Sequence, residues 1–220
     1  MSKQALVIGA SGGIGQALSA GLSARGYAVT GLSRALDGLD ITSEDSVAQH
    51  LGQLETPFDV VIVATGILAD AHGPEKSLRT LTVDEMARLF AVNAIGPALI
   101  LKHAVRLFPK DRKAAFAALS ARVGSIGDNA LGGWYSYRTS KAALNQIIRT
   151  ASIELARSHK QLACIALHPG TVATDFTRNY PQHKTVPPTE AARNLINVIE
   201  GVSAAETGRF YDWAGKEVVW

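Results

Sequence analysis

Short runs of unbroken apolar residues, spaced along the whole chain, restrict its architecture more than any other feature. Ala5-Leu-Val-Ile8 and Val60-Val-Ile-Val-Ala64 carry no polar residue, and Ala114 to Ser120 and Leu162 to Leu167 are nearly as uniform. A strand with one wetted face alternates, whereas a strand buried on both faces does not. Two further strands are predicted at Ala28 to Leu32 and Arg209 to Asp212. Helices are predicted between them. From Gly13 to Arg25, Ile14, Ala17, Leu18 and Leu22 form one stripe, and Gly26 stops it. Ser43 caps a short helix to Leu51. A long helical region covers Val83 to Leu107, disturbed around Gly96-Pro97. Helix returns from Tyr135 to Ser158 and from Pro188 to Gly201. Strand and helix therefore alternate throughout, which calls for an α/β fold: one doubly wound parallel sheet with helices on both faces, as a single domain over 1–220.

Composition excludes several alternatives. With 47% hydrophobic and 19% charged residues, the 220-residue chain can bury a core and is not disordered. The net charge of +3 is spread out, and the densest basic stretch, Lys110 to Lys113, contains Asp111. No nucleic-acid partner is expected. No apolar stretch reads as reaching the roughly 20 residues of a membrane span, and the first ten residues are too short for a signal peptide. The lone Cys164 cannot form an internal disulfide, so a reducing, cytoplasmic location is expected.

The first strand runs into Gly9-Ala-Ser-Gly12-Gly13-Ile-Gly15, and the first helix follows. Glycines there permit a tight turn and close approach of a pyrophosphate, which the helix N-terminus attracts. This is the signature of a Rossmann dinucleotide site, and strand, turn and helix supply the context it needs. The second strand ends in Leu32-Ser33-Arg34. An arginine there suits a 2′-phosphate, hence NADP(H). Asp37, close by, is the rival and would bind a ribose hydroxyl instead.

Tyr137-Arg-Thr-Ser-Lys141 places a phenol and an ammonium on one helical face. A cation a few ångströms away favours phenolate and lowers the tyrosine pKa. Such a phenol can give a proton to a carbonyl oxygen as hydride arrives, or take it back in reverse.

With these motifs the chain resembles the short-chain dehydrogenase/reductase family along essentially its whole length. The resemblance implies catalytic roles for Tyr137, Lys141 and Asn93, the last as the relay asparagine of Val92-Asn93-Ala94. It implies cofactor contacts at Gly9, Ser11, Gly13, Ile14 and Gly15, at Ser33 and Arg34, and at Asp40-Ile41, which resembles a pair contacting adenine. Ala64-Thr65-Gly66 matches the family's Asn-Asn-Ala-Gly only loosely. Asn93, Tyr137, Lys141 and Pro169-Gly170-Thr171-Val172 complete the implied contacts. Ala121 to Asn129 and Trp134 to Leu144 resemble the C-factor and sniffer-type carbonyl reductase branch. The implied activity is NADP(H)-dependent reduction of a small-molecule ketone or aldehyde, reversibly, by a homodimer built on the long helices around 83–107 and 135–158.

One departure stands out. The family's catalytic serine slot falls on Ala121. Ser120 should face the other way by strand alternation, and Ser125 in the following loop is the alternative source of a hydroxyl. The rival function is a dinucleotide-binding signalling or sensor protein with little turnover. His168 reads as a structural strand-end residue. Trp134, Tyr135 and Tyr180 fit either the substrate mouth or packing. His72, His103, His159 and His183 share no ligand spacing with each other or with Cys164, so no metal is expected. The loops 121–134 and 171–187 are long enough to shape the substrate site.

Overall fold

The six strands pair side by side, all parallel, in the order β2-β1-β3-β4-β5-β6. The structure, a computed structural model, describes residues 2–69, 73–178 and 184–220. The strands are β1 (Gln4–Ile8), β2 (Ala28–Leu32), β3 (Val60–Val63), β4 (Ala114–Leu119), β5 (Leu162–His168) and β6 (Phe210–Asp212). The helices are α1 (Gly13–Ala24), α2 (Arg34–Asp37), α3 (Glu44–Gly52), α4 (Val83–Phe90), α5 (Gly96–Ala104), α6 (Tyr135–Leu155) and α7 (Pro188–Gly201). Each element predicted from the sequence appears within a few residues of its expected bounds. The short α2 was not foreseen; Ser33 caps it, its hydroxyl accepting the Leu36 N–H at 3.2 Å.

Uniform strands follow from burial on both faces. Leu6, Val61, Phe116 and Cys164 join the core under α3, α5 and α6, while Ala5, Ile62, Ala117 and Ile165 join the core under α1 and α7. Cys164 is fully buried, and burial pushes its thiol up to about 12, so it stays an inert core residue.

The disturbance in the long helical region lies just before its expected place. Ala91–Ile95 is a π-helical turn joining α4 to α5. Pro97 has no N–H to give the Asn93 carbonyl, and its ring crowds that oxygen; widening the turn relieves the conflict. The Val83–Leu107 run also corrects an expectation, because by length and apolar composition it could cross a membrane. Here its apolar side is spent on the fold, with Leu89, Ile100, Leu101, Ala104 and Leu107 buried.

Candidate active site

The order in which strands are laid down reverses between β1 and β3, because β2 lies on one side of β1 and every later strand on the other. At such a switch point the loops leaving the strand ends part, and a crevice opens. A cavity of about 820 Å³ occupies it, within the range of small-molecule sites. Ser11, Gly13 and Ile14 line it from the first turn, Ala64, Thr65 and Gly66 from the segment after β3, Tyr137 and Lys141 from α6, and Pro169, Gly170, Thr171 and Val172 from the segment after β5.

The glycine turn is built for close approach. Gly9 has φ +85°, and its N–H donates to the Leu32 carbonyl at 2.7 Å. A Cβ on Gly15 would stand 2.1 Å from the Gly9 carbonyl oxygen, so strand and helix pack here only through glycine. Gly12 begins α1 without a side-chain cap, and the first turn holds no acidic residue. By contrast, α3 and α4 each have a capping hydroxyl and two acidic residues in that turn. The free N–H groups of α1 thus face a site suited to an anion. Two buried polar atoms of cavity-lining residues, Thr65 Oγ1 and His168 Nδ1, have no hydrogen-bond partner among the described residues. Buried polar groups are rarely left so, and a bound ligand would satisfy them. Burial lowers His168 to about 4, so its ring is neutral and remains a strand-end residue of the wall.

Tyr137 and Lys141 sit one turn apart on α6 and are both buried. The Lys141 Nζ donates to the Leu119 carbonyl at 2.8 Å and lies 5.9 Å from the Tyr137 ring centroid. The expectation that this cation pulls the phenol pKa down is corrected by the structure. Burial dominates both groups: it drives the phenol well above its ordinary value and brings Lys141 down to about 7. An anion bound beside Lys141 would raise it again.

Asn93 does not line the cavity. It lies one layer behind, fully buried on the π-helical turn. Its Oδ1 accepts the Ile67 N–H at 2.9 Å, and its Nδ2 donates to the Ile67 carbonyl at 2.8 Å and to Ser140 Oγ at 3.1 Å. It thereby fixes the strand-end loop to the helix of Tyr137 and Lys141. A Cβ on Gly66 would meet both Asn93 Oδ1 and Lys141 Nζ at 3.4 Å, so the three positions are close neighbours.

Ala121 lines the cavity and packs in one apolar cluster with Tyr137 and Leu89. Ser120 also borders the cavity, but both neighbouring serine hydroxyls are engaged elsewhere. Ser120 Oγ donates to Asn145 Oδ1 at 2.6 Å, and the buried Ser125 Oγ accepts the Asp128 N–H at 3.1 Å, outside the cavity lining. Ser125 is spent on its own turn.

The remaining predicted contacts lie beyond the main cavity. Arg34 is exposed at the start of α2; among the described residues its side chain has no hydrogen bond or ion pair, though, after the Thr42 hydrogen bonds, its charge helps hold the Asp40 carboxyl down. Asp37 Oδ2 instead accepts the Ser33 N–H at 2.8 Å and faces its hydroxyl at 3.3 Å. Asp40 is turned onto Thr42, whose hydroxyl and N–H hold its carboxyl below the usual range, and Ile41 packs against Gly96. Sequence reasoning missed Leu68, Thr174 and Phe176 on the cavity wall. Thr174-x-x-Thr177, a reciprocal capping pair, was the readable signal for the last two. Trp134 lines the cavity with its ring 6.2 Å from that of Tyr137, as is the Phe176 ring on another side. Tyr180, His72 and His183 lie outside the described residues. Among the described residues no three His, Cys, Asp or Glu side chains are grouped to hold a metal.

Comparison with known proteins agrees with this geometry. A family model described as enoyl-(acyl carrier protein) reductase, of the short-chain alcohol dehydrogenase type, matches residues 27–210. The chain belongs to the short-chain dehydrogenase/reductase family. It is 32% identical to 1-hydroxy-2-glutathionyl-2-methyl-3-butene dehydrogenase of Rhodococcus sp. (strain AD45), covering 98% of each chain. It is 35% identical to C-signal of Myxococcus xanthus over 74% of this chain and 93% of that protein. A crystal structure of a short-chain dehydrogenase/reductase from Burkholderia multivorans with bound NADP superposes with a TM-score of 0.85 at 25% identity, covering 100% of both chains. The family is one of oxidoreductases on a Rossmann-type sheet, as the resemblance implied.

Proposed function

We propose that the chain reduces a ketone or aldehyde carbonyl with NADP(H), and oxidises the alcohol in reverse. The observation that carries this reading is convergence: Tyr137 and Lys141 open onto the same cavity as the glycine turn and the uncapped start of α1. When bound, the dinucleotide supplies hydride. Gly9, Gly13 and Gly15 let its pyrophosphate approach α1. Tyr137 gives the proton to the carbonyl oxygen, Lys141 holds polar groups of the dinucleotide beside it, and Asn93 keeps the loop of Ile67 against α6. Leu68, Trp134 and Phe176 form an apolar wall near the phenol, which favours an apolar substituent on the carbonyl. The Rhodococcus relative is named for dehydrogenation of an alcohol, which supports the reversible reading. Ile95 and Ile153, exposed on the outer faces of the long helices, support a homodimer through them. Turnover of a carbonyl panel with each nicotinamide cofactor tests the proposal, and no turnover with either would overturn it.

NADP(H) rather than NAD(H) follows from the end of β2. Arg34 is free to meet a 2′-phosphate, whereas Asp37 is engaged with Ser33. Arg34→Asp should weaken NADPH binding by roughly tenfold to a hundredfold, the scale of a charge-assisted contact. NADH binding should hold or improve. Equal NADPH affinity in a fluorescence titration would remove Arg34 from the site.

A second reading, a dinucleotide-binding signalling protein with little turnover, is favoured by one observation: the serine slot itself holds Ala121, with Ser120 Oγ bonded to Asn145 and Ser125 off the cavity wall. The relative named C-signal fits it as well. The two readings separate on Ala121→Ser. A restored donor to the substrate oxygen should raise reduction of a generic ketone by about 1 kcal/mol, or roughly fivefold. Ser125→Ala should leave the rate unchanged. A loss of rate in Ser125→Ala would show that Ser125 reaches the substrate after all.

A further inference from the structure

The helix that carries Tyr137 and Lys141 begins in an unfavourable way. Gly132 and Gly133 have positive φ, and Trp134 follows at φ 55°, the one non-glycine residue in that region among those described. Bulky residues rarely adopt this conformation and need surroundings that hold it. α6 has no side-chain cap from Trp134. The missing partner comes from a residue about sixty positions earlier. The backbone carbonyl of Glu75 accepts the Trp134 N–H at 2.5 Å. One carboxylate oxygen, Oε2, accepts the Ser136 N–H at 3.3 Å, and the other, Oε1, accepts the Ser136 hydroxyl. Glu75 is only 8% exposed, and no cation pairs with it among the described residues. A buried carboxylate without a counter-ion is costly; here the N-terminal end of α6 and the Ser136 donors offset that cost.

We propose that Glu75 is a positioning residue for the reaction: it clamps the first turn of α6 and so sets the depth and angle of Tyr137. The clamp grips the residues on both sides of the phenol's approach. Ser136 immediately precedes Tyr137, and the Trp134 ring packs edge-on against the Tyr137 ring. Released, the first turn frays, the left-handed Trp134 relaxes, and the phenol loses its fixed distance to the carbonyl oxygen. Glu75 does not itself line the cavity; it reaches the site through Trp134, which does, and through Ser136, so it acts on the reaction by way of the residues that hold Tyr137. The proposal rests on the reading of Tyr137 as the proton donor.

Glu75→Gln keeps the size of the side chain but removes the negative charge at the start of α6 and makes the Ser136 hydroxyl turn from donor to acceptor of its NH2. In the full-length protein it should lower kcat for a carbonyl substrate about tenfold, the scale of a small misplacement of a reacting group. NADPH Kd should stay within about twofold. Glu75→Asp, with its carboxylate drawn back by one methylene, should recover part of kcat. Hydrogen exchange gives a readout independent of turnover: amides 134–139 should exchange at least about tenfold faster in Glu75→Gln, with 141–155 unchanged. If Glu75→Gln does not fold, Ser136→Ala, which removes the hydroxyl donor, should show the same pattern more weakly. Unchanged exchange at 134–139 overturns the clamp. Faster exchange along the whole of α6, or a kcat loss matched by lost NADPH affinity, reduces Glu75 to a general structural role. Absence of carbonyl turnover in the unmodified protein would refute the reductase reading, while the exchange experiment would still decide the clamp.

Discussion

Tyr137→Phe is expected to lower carbonyl reduction by about three orders of magnitude while NADPH Kd changes less than twofold. The ring is buried and packed between Trp134 and Phe176, and none of those contacts uses the hydroxyl. Removing one oxygen therefore leaves the fold and the dinucleotide turn in place, yet takes away the proton that the substrate oxygen must receive. General acid catalysis is worth about 10²–10⁴-fold. Burial keeps the phenol protonated well above neutral pH, which suits a donor. In the direction of alcohol oxidation the same burial opposes proton removal. Steady-state rates of the two proteins, with NADPH binding followed by fluorescence, check the prediction. Retained turnover would show that the proton comes from elsewhere.

Much of the fold and part of this site could be read before any coordinates. Uninterrupted apolar runs such as Val60–Val63 carry their own explanation, since only a strand covered on both faces can afford no polar residue. Gly9, Gly13 and Gly15 were legible because strand–turn–helix punctuation is local. Tyr137 and Lys141 were legible because a helix converts four-residue spacing into one face. Relations that depend on tertiary approach were not. Glu75 and Ser136 are separated by 61 positions, and nothing in either segment announces the other. The competition between charge and burial at Lys141 was misjudged for the same reason: spacing gives proximity, but only the fold shows that the ammonium turns to the Leu119 carbonyl in a desolvated pocket. The departure of the serine slot to Ala121 was visible in sequence. That Ser120 and Ser125 are both engaged elsewhere was not, because each hydroxyl's partner is fixed by packing.

Gly15→Ala should cost both the binding site and part of the fold. The new methyl would lie 2.1 Å from the Gly9 oxygen, 2.8 Å from the Gly9 carbonyl carbon and 3.0 Å from the Ala10 Cα, all backbone atoms with little room to yield. The turn cannot retreat easily, because the Gly9 and Ala10 N–H groups both donate to the Leu32 carbonyl. Nor can the helix: Leu18 and Leu22 of α1 are fully buried, and Gly21 lies against Ile196 of α7 so closely that a Cβ there would meet it at 2.8 Å. Relief must come from opening the turn, which separates the α1 N–H groups from the place where a pyrophosphate would bind. Overpacking of this kind costs about 3 kcal/mol, equivalent to roughly 6–12 °C in Tm for a domain of this size. NADPH affinity should fall at least about a hundredfold, the loss of two or more charge-assisted hydrogen bonds. Gly12→Ala is the control, since its Cβ would approach the Gly9 oxygen at 3.5 Å, an ordinary contact. It should lower the Tm only by the small cost of alanine at an N-cap, well short of Gly15→Ala, and lose affinity only through its place on the cavity wall. Thermal unfolding and NADPH titration of both variants check this. If Gly15→Ala unfolds at the same temperature as the unmodified protein, the turn is softer than its contacts imply, and close packing is not what requires glycine there.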